Sequence, residues 1–187
     1  MELFYIQQII DGDLNRFSYF VEKYKDMAFT IAFRILNNAE DAEEVVQDSF
    51  LKAYRSLRQF RGDSKFSTWL FKIVVNRSLS KAKRKTLYTR DLDEEEISDI
   101  LIESSESVYR NLTHAEQKRY INKAMEKLNI DDRLLLTLYY LNENTMEEIS
   151  EISFVPKENI KMRLYRARKK MYCAVDEILK SERKNIL

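Results

Sequence analysis

Helix-breaking residues are scarce in this chain of 187 residues. The sequence contains only two glycines, Gly12 and Gly62, and one proline, Pro156. Glycine and proline form turns and end helices, and β-sandwiches or barrels need them often. Between these three positions, apolar residues recur at helical spacing over long stretches. The sequence therefore predicts an all-α fold.

The apolar spacing places the helices and the breaks between them. A short helix is expected to end near Asp11, and Asn37-Asn38 is expected to separate two long helices as a stop and an N-cap. The long helices of the first half are predicted over 13–36, 39–60 and 66–85. Two helices of the second half are marked by apolar residues at 121–128 and 134–141.

Charge is segregated along the chain, although the formal net charge is only +1. Residues 51–90 hold 12 basic residues and 1 acidic residue, whereas 91–117 hold 1 basic residue and 9 acidic ones. The basic block suits binding to polyphosphate, but a solvated helix face explains it about equally well. The acidic, serine-rich stretch has few apolar residues, which is typical of a linker. We therefore expect two small helical domains, at 1–88 and 116–187, joined by an acidic linker at 89–115.

The C-terminal third carries the pattern of a helix-turn-helix between Thr145 and Met171. Thr145 and Glu148 have the spacing of a capping box, in which each side chain binds the backbone amide of the other at the start of a helix. That helix is expected to break at 153–155, and Pro156 favours the start of the next one. Such a pair sets a recognition helix in the major groove of duplex DNA. An ordinary helical hairpin with a solvated basic face is the alternative.

The second helix of this motif has a buried side and an outward side. The buried stripe consists of Ile160, Leu164, Ala167 and Met171. The outward side carries Glu158, Lys161, Met162, Tyr165, Arg166 and Lys169. In a recognition helix, early residues contact base edges and later cations contact phosphates. We therefore expect the outward side to face DNA.

The helix predicted at 39–60 has a second, non-core face of unusual composition. It carries Asp41, Glu44, Gln47, Asp48, Leu51 and Arg55. An exposed leucine within an acidic stripe indicates a protein partner that offers a basic helix or groove. A solvated amphipathic face is an equally good explanation.

The helix predicted at 66–85 has a basic, amide-bearing face. Lys72, Asn76 and Ser80 stand at i, i+4 and i+8, and the loop with Phe60 and Phe66 approaches them. Single-stranded DNA binding uses this combination, because bases stack on aromatic rings while cations follow the backbone.

The sequence lacks the residues that most enzymes and metal sites need. It has no glycine-rich phosphate loop, no Ser/His/Asp set and no Cys/His cluster, and His114 is the one histidine. We expect no catalytic residue, no metal and no cofactor. No stretch resembles a signal peptide or is apolar enough to span a membrane, so a cytoplasmic protein without membrane insertion is expected.

Three stretches resemble the extracytoplasmic-function (ECF) sigma factors, the minimal promoter-recognition subunits of bacterial RNA polymerase. They are 38–54 (NAEDAEEVVQDSFLKAY), 66–77 (FSTWLFKIVVNR) and 160–168 (IKMRLYRAR). The resemblance covers nearly the whole chain. It implies a sigma-2 domain at 1–88 and a sigma-4 domain at 116–187, with the acidic linker threading toward the active-site and RNA-exit channels of the polymerase.

The resemblance also implies the partners. The acidic stripe at 41–55 would dock on the clamp coiled coil of the largest polymerase subunit, and the sigma-4 domain on the flap of the second-largest subunit. Promoter DNA and an anti-sigma factor are the other partners that the resemblance implies. The alternative is an autonomous helix-turn-helix regulator whose N-terminal half is an interaction module.

Two DNA-reading surfaces follow from the resemblance. The residues implied to open and read the −10 element as single strand are Phe60, Arg61, Lys65, Phe66, Lys72, Asn76 and Ser80. The residues implied to read the −35 element as duplex are Lys157, Glu158, Asn159, Lys161, Met162, Tyr165, Arg166 and Lys169. Phe154 and Glu158 depart from the family pattern because they stand where glycine is common. Ser80 departs because some members have an amide there.

Overall fold

The computed structural model describes residues 1–86 and 113–184. Within these ranges lie eight α-helices: α1 (Glu2–Ile10), α2 (Phe17–Leu36, after a 3₁₀ turn at Leu14–Arg16), α3 (Ala39–Arg55), α4 (Phe66–Thr86), α5 (His114–Glu126), α6 (Ile130–Tyr140), α7 (Met146–Ser153) and α8 (Lys157–Lys184). Neither range contains a strand, so the predicted all-α fold is confirmed there. The predicted linker at 89–115 lies outside the described residues as far as 112, and the domain boundaries stay a prediction.

Helices α2, α3 and α4 pack against one another as a three-helix bundle, the N-terminal unit, and α1 adds to it beside the 3₁₀ turn at Leu57–Gln59. The core of this unit is aromatic and aliphatic, and Phe20, Ile31, Leu70 and Phe71 have no exposed surface. Burying each such side chain contributes about 1.5–3 kcal/mol to folding. The apolar stripes of the three long helices therefore meet in one core, as their spacing predicts.

Two asparagines form the break between α2 and α3. Asn37 ends α2 in the left-handed region, with φ 48°, which asparagine tolerates better than most residues. The side chain of Asn38 accepts a hydrogen bond from the Asp41 amide at 2.8 Å and caps α3. The stop and the N-cap expected here are both present.

The helix predicted at 39–60 is shorter than expected. α3 ends at Arg55, after which the Ser56 hydroxyl donates to the Lys52 carbonyl at 2.6 Å and the chain continues as the 3₁₀ turn at Leu57–Gln59. Leu57 in that turn is still buried in the bundle, so the apolar stripe of α3 continues into the turn. Apolar spacing alone therefore could not reveal the change of helix type.

Helices α5 to α8 form the C-terminal unit, in which α8 packs against the other three. The predicted capping box opens α7: the Glu148 amide donates to the Thr145 hydroxyl at 3.2 Å, and the Thr145 amide donates to the Glu148 carboxylate at 2.9 Å. Leu138, Ile149 and Ile152 are fully buried behind it. These three residues belong to one buried apolar cluster that also includes the core of the N-terminal unit.

α8 continues well past Met171, where the predicted recognition motif ends. Glu182 ties this extension to α5: its carboxylate accepts from Lys123 at 2.8 Å, from Arg119 at 3.0 Å and from the Tyr120 hydroxyl. The cluster fixes the orientation of α8 relative to the rest of the C-terminal unit.

The two units pack directly against each other. α2 packs against α6, and α4 packs against α7. Across this boundary, Arg34 of α2 donates to the side-chain oxygen of Asn122 in α5 at 2.8 Å. α4 therefore lies beside the first helix of the helix-turn-helix.

Candidate nucleic-acid and polymerase interfaces

The acidic stripe predicted on α3 lies at the surface. Asp41 is half-buried, and the other members are exposed: Glu44, Gln47, Asp48, Leu51 and Arg55. Leu51 keeps 52 % of its surface exposed although its side chain is large and apolar. An apolar side chain that stays in water within a polar rim is typical of a site that another protein covers.

Three carboxylates of this stripe pair with cations of α4. Lys81 contacts Glu44 at 2.7 Å and Asp41 at 3.1 Å, and Arg77 contacts Asp48 at 2.8 Å. The hydrogen bond to Glu44 raises the pKa of the Lys81 ammonium, so the lysine stays charged. The stripe is therefore closer to electrical neutrality than its acidic residues alone suggest.

The face of α4 predicted to bind single-stranded DNA is partly open. Asn76 and Ser80 are exposed one turn apart, and Lys72, one turn earlier, is half-buried. The Ser80 hydroxyl donates to the backbone carbonyl of Asn76 at 2.7 Å. The Asn76 side-chain amide faces solvent and has no protein partner within 1–86 or 113–184. An amide in this position can donate to and accept from the edge of an unstacked base.

The aromatic residues before this face do not all reach the surface. Phe66 is 2 % exposed, and its ring centroid lies 4.3 Å from that of Phe20, so it is a core residue. Its assignment to the −10 surface is therefore corrected: α4 begins at this residue and turns the ring inward. Phe60 and Trp69 are half-buried, with ring centroids 5.4 Å apart, and form the outer edge of the same cluster. Both side chains therefore keep part of their surface in solvent.

Two cations of the predicted −10 surface contact the C-terminal unit. Lys65 Nζ lies 2.8 Å from the Glu148 carboxylate. Lys72 Nζ lies 5.4 Å from the ring centroid of Phe154, which is a cation–π distance. Burial opposes ionisation of Glu148, but hydrogen bonds from Lys65 and from the Thr145 amide outweigh it and lower the pKa of this carboxyl. Glu148 is therefore a charged partner at neutral pH.

The outward face of α8 is open along its first turns. Lys169 is half-buried, and the other predicted −35 residues are exposed: Lys157, Glu158, Asn159, Lys161, Met162, Tyr165 and Arg166. Met162 and Tyr165 keep 54 % and 60 % of their surface in solvent. Glu147 of α7 pairs with Lys157, whereas Lys161 and Arg166 make no ion pair within the described ranges. These two cations are therefore available to bind an anion such as phosphate.

The turn between α7 and α8 contains a strained residue. Phe154 has φ 61° and ψ 15°, in the left-handed region that costs a non-glycine residue about 1–2 kcal/mol. Phe154 keeps 51 % of its surface exposed with both units in place. The cation–π contact with Lys72 is the interaction that its ring makes across the boundary between the units.

Several residues of these surfaces were missed by sequence reasoning. Arg77 and Lys81 stand one turn apart on α4 and were not singled out, because their partners lie on another helix. Trp69 was not assigned to the −10 surface, although it is half-buried beside Phe60. Glu148 was identified as a helix cap, and its second partner, Lys65, is distant in sequence.

The part of the chain that the structure describes offers neither a metal site nor a membrane-spanning helix. No group of His, Cys, Asp and Glu side chains there is arranged to hold a metal ion. In the same ranges, every helix is too short or too polar to cross a membrane.

Known protein families match both units of the chain. Residues 20–87 match the family model of sigma-70 region 2, and residues 118–171 match that of sigma-70 region 4. The RNA polymerase sigma-H factor of Pseudomonas aeruginosa is 28 % identical over 181 residues, which cover 94 % of each chain. The ECF RNA polymerase sigma-E factor of Salmonella typhimurium is 33 % identical over 171 residues, covering 87 % of this chain and 88 % of that one.

Two solved structures share the fold. CnrH, solved with the cytosolic domain of CnrY, has a TM-score of 0.64 and 21 % identity, and the match covers 93 % of this chain and 96 % of CnrH. RpoE of Bartonella quintana, solved with the anti-sigma factor NepR, has a TM-score of 0.61 and 23 % identity, with 84 % and 96 % covered. The two matched regions in their order, the relatives above 30 % identity and the helical architecture agree: the chain belongs to the ECF sigma factors of the sigma-70 family.

Proposed function

We propose that this chain directs core RNA polymerase to a set of promoters by reading the −35 element as duplex with α8 and the −10 element as single strand with α4. As an ECF sigma factor, it is a transcription-initiation factor. The open face of α8 carries the proposal, because Lys161, Met162, Tyr165 and Arg166 stand exposed on the second helix of a helix-turn-helix. This is the position from which a recognition helix reads the major groove.

The single-strand assignment is supported by α4 and the loop before it. Asn76 and Ser80 offer polar groups to solvent, and Phe60 offers a ring edge, with Trp69 added beside it. The cations of this surface are Arg61, Lys65 and Lys72. Bases that leave the duplex stack on rings while cations follow the phosphates, so this surface suits the strand that separates at the −10 element.

The polymerase assignment is supported by α3. Leu51 would be the apolar anchor and Gln47 a hydrogen-bonding neighbour, because both are exposed and uncommitted in the described structure. Basic groups of the clamp coiled coil would replace Lys81 and Arg77 as partners of the surrounding carboxylates. We infer that the C-terminal unit meets the flap of the second-largest subunit, as the family resemblance implies.

The chain is further inferred to work in the cytoplasm, without chemistry of its own and under the control of an anti-sigma factor. The polymerase and the promoters that it would serve are cytoplasmic in bacteria. An inhibitory partner is supported by the fold neighbours, since RpoE was solved with the anti-sigma factor NepR and CnrH with the cytosolic domain of CnrY.

Reconstituted transcription tests the proposal as a whole. The purified chain is mixed with core polymerase and a library of promoter fragments, and transcripts are sequenced. Initiation should come from a subset of fragments that share two separated elements. Tight duplex binding without polymerase, together with no initiation, would identify an autonomous regulator instead.

Leu51→Asp tests the docking surface separately. Placing a charge at the apolar anchor should weaken association with core polymerase by about tenfold or more while duplex binding by the free chain is unchanged. Glu43→Ala is the matched control, because Glu43 is an exposed acid of α3 outside the stripe. Association is measured by fluorescence anisotropy, and equal losses in both variants would reject the assignment.

A further inference from the structure

We propose that α1 carries a second single-strand surface, the α1 platform, which holds nucleotides of the separated strand next to those read by α4. The platform consists of the rings of Phe4, Tyr5 and Tyr19 with the cations Arg16 and Arg58. This inference rests on the proposed −10 role of α4, because both surfaces bind the same strand. The helix lies ahead of residue 20, where the match to sigma-70 region 2 begins.

The outer side of α1 exposes two large apolar side chains. Ile6 and Ile9 on the inner side are each 5 % exposed, whereas Leu3 and Phe4 keep 64 % and 63 % of their surface in solvent. Apolar surface in water is unfavourable, and neighbouring exposed apolar side chains are typical of a surface that a ligand covers. Phe4 therefore presents an uncovered aromatic ring.

Phe4 is the outer end of a row of flat groups. Its ring centroid lies 6.2 Å from that of Tyr5, which lies 4.9 Å from that of Tyr19. The guanidinium carbon of Arg16 lies 5.6 Å from the Tyr5 centroid. Unpaired bases stack on aromatic rings and on guanidinium planes, largely regardless of sequence. The inner end of the row lines an open cleft of about 470 Å³, a volume within the range of small-molecule sites.

The α1 platform is continuous with the proposed −10 surface. α1 packs against the 3₁₀ turn at Leu57–Gln59. Leu3 lies against Gly62, where an added Cβ atom would be 3.6 Å from Leu3 Cδ2. Phe60 and Arg61 of the −10 surface stand between that turn and the glycine. A strand that follows α4 and passes this loop therefore reaches α1.

The charge at this junction favours a polyanion. Residues 55–61 contain three arginines and no acid. Arg58 and Arg61 are exposed and make no ion pair within 1–86 or 113–184. Three carboxylates on or beside α1 are paired with cations of their own: Glu2 with Lys23 at 2.6 Å, Asp13 with Arg16 at 3.2 Å and Glu22 with Lys25 at 2.5 Å. Single-stranded DNA is the partner that fits exposed rings beside unpaired arginines.

Two variants remove the two kinds of contact, and each has a matched control. Phe4→Ala removes the exposed ring, and Phe4→Trp replaces it with another stacking surface. Leu14→Ala is the control for the ring, because Leu14 is 57 % exposed but offers no flat surface to a base. Arg58→Ala removes an unpaired cation. Lys25→Ala is the control for the cation, because Lys25 already pairs with Glu22.

Fluorescence anisotropy measures the affinity for a random-sequence strand of about twelve nucleotides, within the site sizes of single-strand binding proteins. The full-length chain is assembled on core polymerase, and core polymerase alone gives the background. Phe4→Ala should weaken binding roughly fivefold, because stacking on one ring is lost. Arg58→Ala should weaken it roughly threefold and reduce the slope of log affinity against log salt by about 0.7, the value for one phosphate contact on a single strand. Phe4→Trp and both controls should match the unaltered chain.

Asn76→Ala in the same assay separates this proposal from the −10 role of α4. Unchanged affinity in Phe4→Ala and Arg58→Ala, with a loss in Asn76→Ala, would overturn the platform and leave the −10 role standing. A loss in Phe4→Ala without one in Asn76→Ala would support the platform and reject the −10 assignment. If the strand is not bound above background, both fail.

Two further measurements exclude other reasons for a loss. Association with core polymerase should be the same for Phe4→Ala and the unaltered chain; weaker association at unchanged strand affinity would make α1 a protein contact and overturn the proposal. Phe4→Ala should also melt at the temperature of the unaltered chain, because the ring is exposed. If it melts lower, the salt dependence of Arg58→Ala decides, and an unchanged slope rejects the platform.

Discussion

The two surfaces proposed to bind DNA differ in how many contacts their cations already make within the protein. On α8, Lys161 and Arg166 are exposed and make no ion pair within 1–86 or 113–184. On the N-terminal unit, Lys65 and Lys72 are already in contact with the opposite unit. The cations of the proposed −35 surface are thus free of ion pairs in these ranges, whereas two cations of the proposed −10 surface contact the opposite unit.

This difference matches the order in which the two surfaces would be needed. Duplex DNA is present before any strand separates, so an open α8 can make the first contact. The strand becomes available only after melting, when α4 has to be free.

The largest expected effect comes from removing a core side chain beneath one of the two surfaces. Leu164 is 2 % exposed and packs α8 onto its unit, and Leu70 has no exposed surface in α4. Each change to alanine should destabilise its own unit by about 2–5 kcal/mol. Leu164→Ala should abolish duplex binding, and Leu70→Ala should abolish single-strand binding. Hydrogen exchange measured helix by helix shows which unit is loosened. Equal loosening of both units by either variant would show that the surfaces are not independent.

A smaller effect is expected from the cations of α8. Lys161→Ala and Arg166→Ala should each weaken duplex binding by about 1–2 kcal/mol and leave association with core polymerase intact. Lys118→Ala is the control, because it removes an exposed cation from α5 of the same unit, near the end held by Glu182. Electrophoretic mobility shifts with −35 duplexes provide the measurement. Lost polymerase association in the first two variants would misplace the surface.

The amide of α4 should have a narrower effect. Asn76→Ala should reduce capture of a −10 strand by roughly threefold to tenfold, the range expected when hydrogen bonds to a base edge are lost. Affinity for −35 duplex should not change, because Asn76 lies on the other unit. Anisotropy with matched single-stranded and duplex probes gives both values. Equal loss on both probes would contradict the division between the surfaces.

The smallest effect concerns the stability at low pH of the Glu182 cluster, which holds the end of α8 against α5. The hydrogen bond from Lys123, with that from Tyr120, lowers the pKa of Glu182 to about 2 from 4.5. Because the pKa of Glu182 is lower in the folded protein, its contribution to stability is fully present above about pH 4.5. This contribution is lost as the pH falls through about 2. At pH 3.5 the end of α8 should still be protected from hydrogen exchange. Glu182→Gln should lose protection at neutral pH, whereas Glu177→Gln, which removes the single exposed ion pair with Lys127, should lose less.

Much of the fold could be predicted because it depends on local signals. The scarcity of glycine and proline indicates helices, Asn37 and Asn38 mark a break, and Thr145 with Glu148 marks a helix start. The outward faces of α3 and α8 follow from the 100° spacing of residues in a helix, and the exposed residues agree with it.

The remainder depends on contacts between residues far apart in sequence. The sequence placed Phe66 on the −10 surface and could not show that its ring is buried, because that depends on Phe20 of another helix. The pairing of Lys81 with Glu44 and of Lys65 with Glu148 joins segments separated by other helices. The docking of the two units has no sequence signature, since Arg34 and Asn122 are ordinary surface residue types.

The boundary between the units has a consequence for engineering. A chimaera that joins residues 1–88 to the C-terminal unit of another sigma factor keeps every proposed −10 contact but loses Glu148 and Phe154. Such a hybrid would lose the Lys65–Glu148 ion pair and the Lys72–Phe154 contact, and with them part of the packing between the units. Grafting only the outward face of α8 onto the native unit would keep both contacts, so it is the exchange that leaves the boundary between the units unchanged.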